Sequence, residues 1–269
     1  MVKKSRTIKT RRQYLLKLRK YAINSIINNN CKNFNKLYQL LSDFTLILDK
    51  FDIPYWIIGG AMLGCYRNNS MIPWDDDIDI GIDVKHKILL DNSKLRSILK
   101  TFNLKLRDLD PESIGTKKLL KGIPANKKCK FNKDTSHRSF IKRGKQSLEI
   151  FWYIQNNNIY SLVQNDPVFW KTSKILQEDL FPLLEYKFGP IIVKGPNNIK
   201  KYCESIYGDC KIGKITHLHS KGHIKNKLKF LKFFDLNIIK EHKYLHYQPP
   251  NLKIMNNIEQ INKLYDELS

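Results

Sequence analysis

The sequence lacks the cysteine pattern of a disulfide-stabilised protein. Its 269 residues include 5 cysteines, which is an odd number, and no two of them form a C-x-x-C pair. An odd and scattered set is typical of reduced thiols, because a disulfide framework needs paired cysteines in an oxidising compartment. We therefore expect free cysteines and an intracellular, cytoplasmic protein.

Long apolar runs are absent as well. No stretch approaches the ~20 residues that a membrane-spanning helix needs. The first 20 residues contain nine basic side chains, no acidic one and no apolar core of a secretory signal. The sequence thus predicts no membrane span and no signal peptide. Residues 1–32 are predicted to form a basic tail and linker, with binding to nucleic acid or to a membrane surface as the alternative to a solvated tail.

Acidic residues are few. The chain has 25 Asp and Glu against 48 Lys and Arg, so its formal net charge is +23. A field of that sign attracts nucleotides, nucleic acids and other polyanions. The chain is also rich in Asn and Ile, as expected from an AT-rich genome, so the charge by itself identifies no partner. The hydrophobic fraction of 42%, with 13 Tyr and 13 Phe, argues for a globular fold.

Four of these few acidic residues are concentrated in one stretch, IPWDDDIDIGI at residues 72–82. Side chains alternate along a strand, so its isoleucines share one face while Asp77 and Asp79 share the other. Two carboxylates this close disfavour each other's ionisation unless a cation neutralises them. Oxygen ligands of this kind suit Mg²⁺ or Mn²⁺, which share their remaining positions with water and phosphate oxygens. The stretch therefore predicts a divalent-metal site on Asp77 and Asp79.

Two other interpretations of this stretch are a calcium loop and a solvated acidic turn. A calcium loop fits Asp75, Asp77 and Asp79 at its first, third and fifth positions. It then requires Gly at the sixth position and Glu at the twelfth, where this sequence has Ile80 and His86. A solvated turn leaves three consecutive aspartates after a Trp without a role. The magnesium interpretation is therefore preferred.

A glycine pair precedes the acidic stretch. Gly59 and Gly60 follow the apolar, strand-like run Tyr55–Ile58 and lead into the helix-like AMLGCYR. Glycines between a strand and a helix let the backbone approach a ligand closely, and the free amides of the helix N-terminus attract an anion. Phosphate is therefore expected between this turn and a metal on Asp77 and Asp79.

The order of the predicted elements indicates a mixed α/β sheet with its chemistry at the strand ends. Apolar residues at helical spacing predict a helix over residues 34–51. The further predictions are a helix at 93–102, strands at 104–109 and 148–154, a hairpin strand at 159–163 and a helix at 258–268. Residues 115–146 are predicted to be a very basic loop, in which Arg138 and Arg143 are the best candidates for holding donor phosphate or a polyanionic acceptor.

The stretch WIIGGAMLGCYRNNSMIPWDDDIDIGI resembles the signature of the LicD / fukutin-related phosphotransferase family. That signature is an apolar strand, GG or GT, LLGAVR, a short spacer and IPWDDDIDIG. The likeness continues in LEIFWY and in LFPLLEYKFGPIIVKGPNNIKKYCESIYGDC, so that it covers about Phe34 to Cys210. It implies a nucleotidyltransferase (polymerase-β-like) fold over residues 33–215. A C-terminal extension that is helical in part is expected at residues 216–269.

The same resemblance implies a reaction. It is the transfer of phosphocholine or a polyol phosphate from a CDP-linked alcohol donor to a hydroxyl of a glycan acceptor, with release of CMP. The residues carried over by position are the metal ligands Asp77 and Asp79, the phosphate-binding turn Gly59 and Gly60, the donor-phosphate contact Arg67, and the third carboxylate Glu149 as metal ligand or general base. Glu149 is one methylene longer than the family's usual Asp, and Asn68 stands where many relatives have His.

Two other function classes stay open from the sequence. A true nucleotidyltransferase, for example one acting on RNA, uses the same metal site but releases pyrophosphate, and the net charge of +23 favours it. A non-catalytic binding module keeps the fold without the chemistry, which the intact pair of Asp77 and Asp79 disfavours. The sequence indicates no oligomeric state.

A zinc site is a further alternative near the end of the resemblance. Cys203, Cys210, His217, His219 and His223 follow a C-x6-C-x6-H-x-H-x3-H spacing, which matches no standard zinc finger. Histidines exposed on the surface are the default expectation for this segment.

Overall fold

The computed structural model describes residues 34–72, 75, 77–108, 138–163, 174–210, 212–213, 234–235 and 254–268. The predicted basic tail at residues 1–32 lies outside the described residues. So do His217, His219 and His223, the three histidines of the predicted zinc site.

Helices alternate with strands along most of the described chain. In order they are α1 (34–50), β1 (Tyr55–Ile58), α2 (Gly59–Asn68), β2 (Ile78–Asp83), a 3₁₀ helix (Val84–Asp91), α3 (Ser93–Thr101), β3 (Lys105–Asp108), β4 (Arg138–Arg143), β5 (Gln146–Asn156), β6 (Ile159–Leu162), β7 (Ile175–Leu176), α4 (Gln177–Leu180), β8 (Leu184–Phe188), β9 (Ile191–Gly195), α5 (Ile199–Tyr207), β10 (Ile212–Gly213), β11 (Phe234–Asp235) and α6 (Ile258–Glu267). The predicted helices and the predicted strands are confirmed, with ends that differ by at most two residues.

Seven of the described strands form one mixed sheet. Its main order is β1-β2-β5-β4-β3, with β6 paired to β5 and β7 paired to β6. The strands β2 and β5 run parallel, whereas the other neighbours run antiparallel. The strands β8 and β9 form a separate hairpin. This arrangement confirms the predicted mixed α/β sheet.

The strand β2 shows why the sheet has one apolar and one acidic face at this point. Ile78, Ile80 and Ile82 are 1%, 0% and 0% exposed, so alternate side chains anchor the strand in the core. The side chain of Asp79 projects from the opposite face, as the period-two pattern predicts. The apolar residues of α1 are buried as well, which confirms the helical spacing read from the sequence.

Aromatic rings close the sheet face next to the carboxylates. The indole of Trp56 lies directly over Gly81, where a Cβ atom would come within 2.6 Å of the indole nitrogen. The same indole packs edge-on against the rings of Tyr153, at 5.2 Å between centroids, and Tyr160, at 6.0 Å. Gly81 is therefore required by this close approach rather than by a turn.

Residues 138–143 form the strand β4, so the prediction of a loop is wrong for this part of residues 115–146. Its basic residues suggested solvation, but Ser139 and Ile141 are fully buried on one face and Arg138 is 6% exposed on the other. Pairing with β5 on one side and with β3 on the other makes β4 an interior strand. Such pairing depends on distant residues and leaves no clear local pattern.

The C-terminal helix α6 packs against the beginning of the domain. The ring of Tyr265 contacts Phe51 at 5.1 Å between centroids and lies under the ammonium of Lys94 at 3.5 Å. Just before the helix, Met255 exchanges two backbone hydrogen bonds with the side-chain amide of Gln39 in α1. Within the described part of the chain, no helix is long and apolar enough to cross a bilayer.

Candidate active site

Asp79 and Glu149 are direct neighbours on the two parallel strands β2 and β5. Paired strands lie about 4.8 Å apart, and paired residues share a face of the sheet, so the two carboxylates project side by side. Asp77 precedes Asp79 by two residues and is on the same face. On the other side of Asp79 the register places Ile58, the last residue of β1. The glycine pair that follows Ile58 therefore begins next to the carboxylates.

Asp79 is the carboxylate whose pKa is raised by this arrangement. Burial raises its pKa well above the ordinary value, and the negative charges of Asp77, Glu149 and Asp75 raise it further, while Arg138 acts in the opposite direction. A carboxylate in these surroundings is costly to ionise unless positive charge is brought to it. Positive charge near Asp79 would therefore stabilise its ionised form.

The carboxylates suit a hard divalent cation by their chemistry. Two carboxylates are enough for Mg²⁺, which completes its octahedron with water and phosphate oxygens. Among the described residues, no three His, Cys, Asp or Glu side chains already stand at the spacing of a formed metal site. The donor set fits Mg²⁺ or Mn²⁺ held by Asp77 and Asp79.

Arg138 supplies positive charge at the edge of the carboxylate group. Its guanidinium NH1 lies 2.9 Å from Glu149 Oε2, and the two side chains are 7% and 23% exposed. The contact crosses from β4 to β5, where Phe140 is paired with Glu149 and Arg138, two residues earlier on the same face of β4, is paired with Phe151. The sequence made Arg138 a candidate for holding phosphate, which stays a prediction; the structure places its guanidinium against Glu149.

The glycine pair forms the first turn of α2 itself. Gly59 has a φ of 61°, which an L side chain rarely adopts. Ile58 offers no side-chain cap to the helix. The carboxylate of Asp75 lies against Gly60, so closely that a Cβ atom there would overlap it. A negative side chain thus occupies the helix N-terminus at which the sequence predicts phosphate, a position that favours anions.

Arg67 lies at the other end of α2, about 10 Å along the helix axis from Gly60 at 1.5 Å per residue. Its NH1 makes a long hydrogen bond of 3.4 Å to the carbonyl of Cys210, and its Nε is buried without a hydrogen-bond partner. Burial lowers the pKa of this guanidinium. Among the described residues, Asp75 is the carboxylate whose charge acts on it, and that charge raises the pKa.

A surface cavity of about 710 Å³ opens beside Arg67. It is lined by Tyr66, Arg67, Glu204, Gly208, Asp209 and Cys210, which come from the C-terminal ends of α2 and α5. A ligand that contacts Arg67 can enter here.

Tyr207 is the candidate residue that sequence reasoning missed. It ends α5 and is 39% exposed as a whole residue, but desolvation of its hydroxyl and the charges of Asp75 and Asp79 raise its pKa well above the ordinary value. This electrostatic influence of the acidic group makes Tyr207 a candidate for the site. The signal in the sequence is its position as the first residue of YGD, which lies within the segment quoted above.

One of the other sequence candidates, Arg143, lies away from the site, and the zinc site is not tested. Arg143 alternates with Arg138 to the opposite face of β4, where it donates to a carboxylate oxygen of Asp43 at 2.6 Å and to the Phe102 carbonyl at 3.0 Å. Cys203 and Cys210 are free and buried. Because the three histidines lie outside the described residues, the zinc site stays a prediction.

The family of the chain follows from a match to a family model. The model described as LicD/FKTN/FKRP, nucleotidyltransferase domain, matches residues 52–198, more than half of the chain. The chain belongs to this family. The LicD-family assignment confirms the resemblance read from the sequence, and with it the nucleotidyltransferase fold. Asp77, Asp79, Glu149, Gly59, Gly60 and Arg67 all lie within the matched LicD-family domain.

Individual LicD-family relatives resemble the chain over limited lengths. The uncharacterized protein RT0683 of Rickettsia typhi is 31% identical over 160 residues, 60% of this chain and 41% of the relative. Ribitol 5-phosphate transferase FKRP of Homo sapiens is 44% identical over 36 residues, 13% of this chain and 7% of the relative. Lipopolysaccharide cholinephosphotransferase LicD of Haemophilus influenzae is 39% identical over 41 residues, 15% of this chain and 16% of the relative. The chain thus spans less than half of each of these proteins.

Proposed function

We propose that the protein is a metal-dependent phosphotransferase. It moves phosphocholine or a polyol phosphate from a CDP-linked alcohol donor to a hydroxyl of a glycan acceptor and releases CMP. The observation that carries the proposal is the pairing of Asp79 with Glu149 on adjacent parallel strands, beside Asp77 and next to the first turn of α2. The names of the relatives support it, since they are transferases of ribitol 5-phosphate and of phosphocholine.

The reaction assigns a task to each part of the site. The acceptor hydroxyl oxygen attacks the phosphorus that carries the alcohol, the bond from that phosphorus to the CMP oxygen breaks, and CMP leaves. Glu149 takes the hydroxyl proton as the new bond forms. Asp77 and Asp79 hold the cation, which when bound offsets the negative charge of the diphosphate. The amides at Gly59 and Gly60 receive a donor phosphate in place of the Asp75 carboxylate.

The proposal is tested by incubating the protein with Mg²⁺ and a panel of CDP-choline, CDP-ribitol, CDP-glycerol and the four NTPs. Release of CMP from a CDP-alcohol, abolished by EDTA and restored by Mg²⁺, is the expected result. Release of pyrophosphate from an NTP without any CMP would instead favour a true nucleotidyltransferase. The net charge of +23 is consistent with that alternative.

Arg67→Met is expected to weaken binding of CDP by about 10- to 100-fold, since a hydrogen bond to a charged group contributes ~1.5–3 kcal/mol. The reason is that Arg67 is partly buried and is the guanidinium beside the cavity. Titration calorimetry with CDP and Mg²⁺ measures the change. Lys200→Met is the matched control, because it removes an exposed positive charge that only reaches Glu204 at 3.9 Å on α5. Equal affinities for CDP in Arg67→Met and Lys200→Met would remove Arg67 from the donor site.

A further inference from the structure

Arg138 is a buried cation on the acidic face of the sheet. Its side chain is 7% exposed, and its NH1 lies 2.9 Å from Glu149 Oε2. Arginine is almost never buried to this degree without a partner. A charge removed from water is retained only where opposite charge and hydrogen bonds compensate it. Glu149 is such a partner, so the two side chains hold each other in place.

The guanidinium is itself fixed by the fold. Arg138 is paired with Phe151 across β4 and β5, and its guanidinium carbon lies 5.3 Å from the centroid of the Phe151 ring. Glu149 is two residues before Phe151 on the same face of β5. Strand register and the aromatic ring therefore set the position of Arg138, and Arg138 sets the position of the Glu149 carboxylate.

Glu149 needs such a restraint because its neighbours repel it. Asp79 is adjacent in the register, and Asp77 is on the same face of the sheet. A glutamate side chain has three rotatable bonds, so like charges at this distance turn it away unless an opposite charge holds it. Arg138 is placed to do so.

We infer that Arg138 is a positioning residue for Glu149. It holds the Glu149 carboxylate beside Asp79 and supplies part of the positive charge that a divalent cation brings when it binds. The inference rests on the proposed function, because it takes Glu149 to act as the base beside the carboxylates that hold the metal. The alternative is the role suggested by the sequence, in which Arg138 binds donor phosphate directly.

The first test compares thermal unfolding of Arg138→Met with and without Mn²⁺ alone. Loss of a buried ion-pair partner is expected to lower the Tm by about 5–10 °C. Mn²⁺ is expected to raise the Tm of this variant more than that of the wild type, because the cation replaces the missing charge. Arg143→Met is the matched control on the same strand. It breaks the ion pair with buried Asp43 on the opposite face, so it should lower the Tm and keep the wild-type response to Mn²⁺.

A second substitution examines whether Glu149 is responsible. Adding Glu149→Gln to Arg138→Met removes the carboxylate left without its arginine. The double variant is expected to regain most of the lost Tm in EDTA and to lose the enlarged response to Mn²⁺. Equal responses to Mn²⁺ in Arg138→Met and Arg143→Met, or no recovery in the double variant, would overturn the inference.

Kinetics separate positioning from phosphate binding. With the donor that supports CMP release, Arg138→Met should lower kcat by about 10- to 100-fold, because the Glu149 base is no longer held in place, and leave KM for the donor unchanged. A raised KM with unchanged kcat would make Arg138 a phosphate contact instead. If Arg138→Met does not fold, Arg138→Gln, which also removes the charge, takes its place, and an unchanged kcat there would count against the inference. Absence of CMP release by the wild type would contradict the proposed function and leave the Mn²⁺ comparison valid.

Discussion

Asp79→Asn is expected to reduce the rate of CMP release by about 10³-fold or more, because loss of a principal metal ligand removes several kcal/mol of transition-state stabilisation. Asp79 is paired with Glu149 on one side and with Ile58, the entry to α2, on the other. It is thus the carboxylate that joins the three parts of the site. Initial rates at saturating Mg²⁺, with the donor identified in the panel, measure the effect.

Asp83→Asn is the matched control for this substitution. Asp83 is on the same strand and the same face, where it accepts a hydrogen bond of 3.0 Å from the backbone of Lys85 and forms an ion pair of 3.1 Å with its ammonium. Its replacement is expected to change the free energy of unfolding by less than about 1 kcal/mol, because Asn caps a helix about as well as Asp and the Lys85 ammonium is exposed, and to keep the rate of CMP release. Equal rate losses in both variants would trace the effect to strand damage rather than to metal binding.

Asp79→Asn is also expected not to lower the free energy of unfolding when it is measured in EDTA. The pKa of Asp79 is raised in the folded protein, by burial first and then by its acidic neighbours. A raised folded-state pKa means that ionisation at neutral pH destabilises the folded form. A neutral Asn removes that cost. Urea titration of both proteins at neutral pH measures the difference, and a clear loss of stability would contradict the electrostatic account of the site.

Asp43→Ala is expected to lower the free energy of unfolding by about 3–5 kcal/mol, the usual cost of leaving a buried charge without its partner. The carboxylate of Asp43 is 2% exposed and accepts from Arg143 at 2.6 Å. It also accepts from the amides of Gln39 at 2.8 Å and Asn257 at 2.7 Å. One carboxylate thus joins α1, the end of β4 and the segment before α6. Urea unfolding measures the loss, and limited proteolysis should show earlier cleavage before α6.

The same helix provides the control for Asp43. Asp49 in α1 forms an ion pair of 2.6 Å with Lys194, but both side chains are more than a third exposed. Exposed pairs contribute about 0.2–1 kcal/mol, so Asp49→Ala should cost far less stability than Asp43→Ala. Comparable losses in the two variants would show that burial of the Asp43 contacts is not what stabilises this junction.

The acidic strand shows how far local patterns reach. Alternation of Ile with Asp over residues 78–82 predicted both the strand and the face on which Asp79 lies, and the structure agrees. A similar argument predicted the strand that carries Glu149, within two residues at each end. Period-two alternation is a property of the backbone itself, so it can be read without knowing the neighbours.

The segment around Arg138 shows where local patterns fail. Its sequence, RSFIKR, has basic residues at both ends and follows a long basic stretch, so that its composition suggested a solvated loop. Pairing with β3 and β5 makes it a strand, and the same alternation sends Arg138 and Arg143 to opposite faces. One meets Glu149 and the other meets Asp43. Nothing within the segment identifies these partners.

The sequence by itself determined the family, the carboxylate pair of Asp77 and Asp79, the glycine turn and most of the helices and strands. These features depend on residues within about one strand or helix of each other, where covalent geometry sets the spacing. The tertiary structure alone decided that Asp79 lies beside Glu149, that Asp75 reaches the first turn of α2, and that Arg138 is turned toward the carboxylates. Those contacts join residues that are far apart in the chain. They are set by the pairing of the strands, which depends on the whole sheet and not on any one segment.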